Sequence, residues 1–190
     1  MKRILFLLLL CILLFNGCLK KETMYIKPFE LAEEDLSRML TRMGGIFEYN
    51  IDNNIKMITY NCIKYEKDTE PETFFKQQIV LNPEFSRKTS RFIFQISKYN
   101  GNISLLTESA TSSKIYDKIK SYELGSIPLS KKVDIIPDVA IPLLIMPSLS
   151  VKNPYFDIES YMSNPEIIKQ YAPILVFSIT FHSQLPKEEK

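Results

Sequence analysis

Residues 174–182, ILVFSITFH, hold the clearest strand pattern in the chain. Leu175, Phe177, Ile179 and Phe181 fall on one phase of the alternation, and Ser178, Thr180 and His182 fall on the other. Successive side chains of a strand point to opposite faces, so this spacing predicts one face against a core and a polar face turned away from it. Working back along the chain, Phe92, Phe94 and Ile96 alternate with Arg91, Gln95 and Ser97, and Ile103, Leu105 and Thr107 return beyond Asn100-Gly101. That is a hairpin pattern, with Asn-Gly suited to the positive φ values of a two-residue type I′ turn.

Further strands follow from the same period. Phe47, Tyr49 and Ile51 alternate with Glu48 and Asn50, Asp52-Asn53-Asn54 supplies turn residues, and Ile55–Tyr65 continues, so the two segments are expected to form a second hairpin. Ile58, Tyr60 and Cys62 share one phase while Ile63 and Tyr65 take the other, which calls for a bulge near Cys62. Val133–Val151 is apolar but broken by Pro137, Pro142 and Pro147, residues that cannot donate ladder hydrogen bonds and so belong at sheet edges or bulges. Glu66–Ser90 is polar and irregular and is expected to be a long connection with at most a short element.

Two segments have helical features. Leu31–Met43 places Ala32, Leu36, Met39, Leu40 and Met43 near helical spacing, with acidic residues in its first turn, and Gly44-Gly45 is expected to stop it. Asn164-Pro165-Glu166 has the form of a helix start, leaving a turn or two before Pro173. Several alternating strands, five glycines and no strand-then-helix rhythm predict a mainly β chain, an antiparallel β-sandwich with one accessory N-terminal helix. The alternative is an α+β sheet with a helix on one face.

At the amino terminus, Met1-Lys2-Arg3 precedes an uncharged run, Ile4–Phe15, that stops at Asn16-Gly17. A membrane-spanning helix needs about 20 apolar residues, so the run is short for a span and suits the core of an export signal. Phe15-Asn16-Gly17-Cys18 resembles the lipobox of bacterial lipoproteins in its small residue followed by cysteine, while Phe15 and Asn16 differ from the commonest residues at their places. The resemblance implies cleavage before Cys18, a diacylglyceryl group on the Cys18 thiol and acylation of the new amino terminus. An ordinary cleaved signal and an uncleaved anchor are the alternatives. The implied organisation is a signal peptide at 1–17, a lipidated tether at 18–30, a single sandwich domain at 31–185 and a polar tail at 186–190. The implied location is the cell envelope, on the periplasmic or extracellular face of a bacterial membrane.

Composition narrows the function classes. Removing Lys2 and Arg3 from the 24 basic residues leaves 22 against 22 acidic ones, so the domain has no net charge to attract nucleic acid. With Cys11 in the signal and Cys18 committed to lipid, Cys62 has no partner for an internal disulfide.

The single His182 excludes motifs that need two histidines, and there is no G-x-S-x-G. His182 is expected to be a solvent-exposed residue of a polar strand face, and Cys62 a small buried hydrophobe. Gly44, Gly45, Gly101 and Gly125 are too sparse for a phosphate-cradling loop. The carboxylates at Asp68, Glu70 and Glu72, and at Asp134 and Asp138, lack the spacing of a calcium loop and are expected to be charged loop faces. No cofactor or metal is expected.

The leading expectation is a non-enzymatic envelope lipoprotein, held on a membrane through Cys18, that binds another envelope protein or polymer. One alternative is an envelope hydrolase with a spatially assembled site using His182 or Cys62. Another is a carrier of a small apolar ligand, which would need a large cavity between the sheets.

Overall fold

The computed structural model describes residues 23–29, 42–82, 88–97, 102–107, 111–115, 127–148 and 157–186. Its strands are β1 (Tyr25–Pro28), β2 (Arg42–Asn50), β3 (Met57–Tyr65), β4 (Glu72–Val80), β5 (Thr89–Ser97), β6 (Asn102–Thr107), β7 (Thr111–Ile115), β8 (Ile127–Pro128), β9 (Val133–Asp134), β10 (Ala140–Pro147) and β11 (Ile174–His182). They form a six-stranded sheet in the order β7-β6-β5-β2-β1-β9 and a five-stranded sheet in the order β4-β3-β11-β10-β8. Every pairing is antiparallel. The chain is a β-sandwich.

The sequence of β11 explains its position. Its inward residues Phe177 and Phe181 meet Phe94 and Tyr49 of the facing sheet at ring distances of 4.1 and 5.4 Å. Around Phe92 the rings of Phe47 and Tyr60 lie 5.4 and 5.1 Å away, the second edge-on. Aromatic pairs favour these offset and edge-to-face arrangements because ring faces are electron-rich and edges electron-poor. These contacts occupy the space between the sheets.

The first half of β11, Ile174–Phe177, is apolar on both phases, and polar residues begin only at Ser178. The reason lies outside the sandwich. A short helix, α1 (Ile158–Ser163), packs against β10, and a 3₁₀ helix (Pro165–Tyr171) follows it. Ile158 and Ile168 are buried, and Tyr161 hydrogen-bonds Tyr65 at the same end of β3. The five-stranded sheet is thereby covered on both faces at this end, so both phases of β11 need apolar residues there. Asp157 caps α1 by accepting a hydrogen bond from the Ser160 amide at 2.7 Å.

Other features agree with the sequence. The register breaks between Cys62 and Ile63, which places the bulge that the phase change requires. In β10 the register breaks between Pro142 and Leu144. The two-residue β8 pairs only Leu144 and Ile145, so Pro142 and Pro147 lie beyond it, on a side where no ladder donor is needed. Pro165 begins the 3₁₀ helix as expected, although the Asn164 side chain makes no capping bond.

Several expectations are corrected. Residues 25–28, assigned to a tether at 18–30 outside a domain at 31–185, belong to the domain, because β1 pairs with β2 and β9 and buries Ile26 in the core. β2 and β3 do not form a hairpin: β2 pairs with β1 and β5, β3 pairs with β4 and β11, and residues 51–56 cross between sheets. Asp52 still makes the turn, accepting from the Asn54 amide at 2.9 Å. The stretch Glu66–Ser90, expected to be a long connection with at most a short element, contains a nine-residue strand, β4. β5 and β6 are a hairpin, but a two-residue turn on Asn100-Gly101 would pair Ile96 with Leu105, whereas Ile96 pairs with Ile103.

The helix expected at Leu31–Met43 falls outside the described residues except for Arg42 and Met43, which are strand. Gly44-Gly45 stops no helix and instead lies inside β2. A Cβ on Gly45 would stand 2.8 Å from the Phe47 ring, which folds back over the glycine.

Candidate functional site

The polar phase of β11 ends in a hydrogen-bonded network that joins a histidine, a carboxylate and two hydroxyls. Thr59 on β3 and His182 on β11 lie on the outer face of the five-stranded sheet, since Thr59 pairs with Thr180 and His182 with Met57. His182 Nε2 and Thr59 Oγ1 are 2.9 Å apart. On the other side of the ring, Nδ1 stands 3.2 Å from Asp138 Oδ1. The Ser183 hydroxyl donates to Asp138 Oδ2 at 2.7 Å, and Gln78 Nε2 donates to Thr59 Oγ1 at 3.5 Å.

One neutral tautomer satisfies every group. His182 Nδ1–H donates to the Asp138 carboxylate, the Thr59 hydroxyl donates to Nε2, and Gln78 fills the acceptor left on Thr59.

The turn that delivers Asp138 has a cost built into it. Ile136-Pro137-Asp138-Val139 is closed by the Val139 amide donating to the Ile136 carbonyl, with Pro137 second and Asp138 third at φ 64°. Glycine is the usual residue at that third position because a Cβ is strained there. Asp138 is held by its side-chain bonds and by its own amide, which donates to the Phe181 carbonyl at 2.8 Å. The Ser183 hydroxyl first, and His182 after it, keep the Asp138 carboxyl below the usual aspartate range.

The order Thr–His–Asp matches the donor order of a serine-hydrolase triad, but the placement of Thr59 does not. Thr59 is 3% exposed and sits within β3, between β4 and β11, rather than on a sharp turn that presents its hydroxyl to a substrate. The network therefore acts as a clasp joining β3, β11 and the β9–β10 turn. His182 is half-buried and hydrogen-bonded rather than lying open on the sheet face as the sequence suggested.

Cys62 has no part in it. It is fully buried on the inner face, in register with Phe177 and Phe75, while His182 projects from the outer face. Burial pushes the Cys62 thiol well up, so it stays protonated at neutral pH. The sheet itself separates the two groups, so Cys62 and His182 do not belong to one site.

A second charged group lies on the other sheet. Glu48 stands between Lys27 and Arg91 in one cross-strand row, with Nζ and Nε at 3.2 and 3.0 Å. The Arg91 guanidinium also stacks 3.9 Å above the Phe29 ring. Burial raises the Glu48 pKa, but the hydrogen bonds and charges of Arg91 and Lys27 outweigh it and hold the carboxyl below its ordinary value. Among the described residues no group of three or more histidine, cysteine or acidic side chains could hold a metal ion.

Cys18 lies outside the described residues. Thr59, Asp138 and Ser183 were not singled out by the sequence for this network. The signal that could have found them is local: a Pro-Asp pair in a turn, and a serine directly after the lone histidine at a strand end. Comparison with protein-family models, curated proteins and solved structures found no match.

Proposed function

We propose that this chain is an envelope lipoprotein, anchored through a lipid on Cys18, whose β-sandwich is a non-catalytic module that binds another envelope protein or polymer. The observation that carries the reading is the uncharged run Ile4–Phe15 followed by Asn16-Gly17-Cys18, with Cys18 six residues before Met24. A cysteine there can carry acyl chains, each buried CH₂ adding about 0.8 kcal/mol of membrane affinity. Two features of the domain support the non-catalytic part. The thiol of Cys62 is sealed in the core, and the Thr59 hydroxyl is committed to His182 and shielded from solvent. No helix among the described residues is long and apolar enough to cross a membrane.

The test is fractionation of cells producing the full chain. The wild-type protein is expected in the membrane fraction and the Cys18→Ala variant outside it; a variant that stays with the membrane defeats the anchor.

The bond order Thr59–His182–Asp138 favours one second reading, an envelope hydrolase in which His182 is the general base. It predicts ester or amide hydrolysis abolished by His182→Gln and by Thr59→Val. The binding-module reading predicts no such activity in the wild-type protein.

A further inference from the structure

We propose that the end of the sandwich where β11 finishes is a membrane-docking face, which lies on the same bilayer that holds the lipid. This rests on lipidation at Cys18. The chain enters the fold at this end: β1 starts at Tyr25 opposite Asp134, and the Met24 carbonyl accepts a hydrogen bond from the Ile135 amide. Six residues, Leu19–Met24, separate the lipidated cysteine from that bond. Fully extended they reach about 20 Å, so this end cannot move far from the headgroups while the opposite end can.

Among the described residues, the same end carries four of the five large apolar side chains left exposed. The large apolar residues left exposed among the described residues are Val80 (63%), Ile136 (61%), Leu185 (53%), Val139 (48%) and Met162 on α1 (37%). The first four share the docking end. Val80 pairs with Met57, which pairs with His182, so the three stand in one row at the last rung of the sheet. The Ile136–Val139 turn is fastened to that rung by the Asp138 amide on the Phe181 carbonyl, and Leu185 follows three residues after His182. Tyr25 adds a phenol with the Lys132 ammonium 3.9 Å from its ring centre, a pairing suited to the boundary between water and hydrocarbon.

Charge does not explain the arrangement. Among the described residues, Lys56, Lys88 and Lys132 at this end are matched by Asp52, Asp134 and Asp138, and Lys131 is paired with Glu159, so these charges leave no net attraction for anionic lipid. Docking is therefore apolar. The tether keeps the face at high local concentration beside the bilayer, which lets shallow insertion of a few side chains suffice.

The clasp then gains a purpose: it fixes the Ile136–Val139 turn rigidly to β3 and β11, so that Ile136 and Val139 project from the end of the sandwich instead of folding onto it.

The full lipidated protein is placed in phosphatidylcholine vesicles containing acyl-chain spin-labelled lipid, and a fluorophore is attached at Leu185→Cys or, on the opposite end, at Thr69→Cys. The buried Cys62 leaves the introduced thiol as the labelling site. Quenching is expected to be at least about threefold stronger at position 185 than at position 69, and unchanged when phosphatidylglycerol is added. Ile136→Asp with Val139→Asp is expected to lower quenching at position 185 to the level of position 69 while the protein stays on the vesicles. Val80→Asp, on a different strand, is expected to act in the same direction. Equal quenching at both ends, or no response to either set of aspartates, overturns docking and leaves the anchor standing. A wild-type protein that does not sediment with vesicles and has an unmodified amino terminus defeats the anchor, and docking with it.

Discussion

Phe92 offers the most direct test of how the two sheets meet. It lies on β5 of the six-stranded sheet, is 1% exposed, and its ring stands 5.1 Å from Tyr60 on β3 of the other sheet. Phe92→Ala removes a fully packed ring and is expected to cost about 3–5 kcal/mol. For a domain of this size each kcal/mol moves the melting point by about 2–4 °C, so a drop of about 6–20 °C is expected.

Part of that cost is simple burial, and Phe92→Leu, which keeps most of the apolar volume, separates it from the ring contact. A cycle of Phe92→Leu, Tyr60→Leu and the double variant, followed by urea unfolding, isolates the pair. Rings in an edge-to-face contact couple by about 0.5–1.5 kcal/mol beyond the area they bury. A coupling within error of zero, with both single variants folded, would refute the apposition of β3 and β5 across the core.

Three further outcomes follow from particular residues. Gly45→Ala is expected to destabilise by about 1–3 kcal/mol, because its Cβ would meet a Phe47 ring already packed on Phe92; thermal melting checks it, and an unchanged midpoint contradicts the ring position. The Cys62 thiol is expected to resist iodoacetamide in the folded protein and react only after denaturation, as followed by mass, so rapid alkylation without denaturant contradicts its burial. Glu48 and Asp138 are both more acidic in the fold than unfolded, so their stabilisation is present above about pH 4 and lost as pH falls through their lowered values. The gap in urea midpoint between wild type and Glu48→Gln should accordingly close between pH 5 and pH 2, on the order of the titration range; a gap that persists in acid contradicts the ion pairs.

What could be seen in the sequence followed the range of the forces involved. β11 and the β5–β6 pairing announce themselves through alternation that burial on one face demands, and the bulge at Cys62 through a phase change within one strand. The β2–β3 hairpin failed because Asp52-Asn53-Asn54 specifies a turn but not whether the next strand returns to the same sheet. β4 was hidden because it is an edge strand: Lys76, Gln77 and Gln78 are tolerated where one face and one edge are open, and the bulge beside Phe74-Phe75 blurs the alternation. Gly44-Gly45 looked like a helix stop because its real constraint, the ring of Phe47 lying over Gly45, depends on core packing.

The clasp was half legible. His182 was visible on the polar phase of β11, but its partners arrive from β3 and from the β9–β10 turn, 123 and 44 residues away in sequence. Only the tertiary register brings them together. The Cys18 reading is the reverse case, carried wholly by the order of residues 1–18.

That reading decides where the molecule is held, and mass spectrometry of the amino-terminal peptide from protein made in bacterial cells tests it directly. The wild-type chain is expected to begin at Cys18 and to carry the mass of a diacylglyceryl group, with or without a further acyl chain, while Cys18→Ala carries none. A wild-type terminus that begins elsewhere, or begins at Cys18 with a free thiol, would contradict the lipid anchor and the membrane-facing orientation built on it.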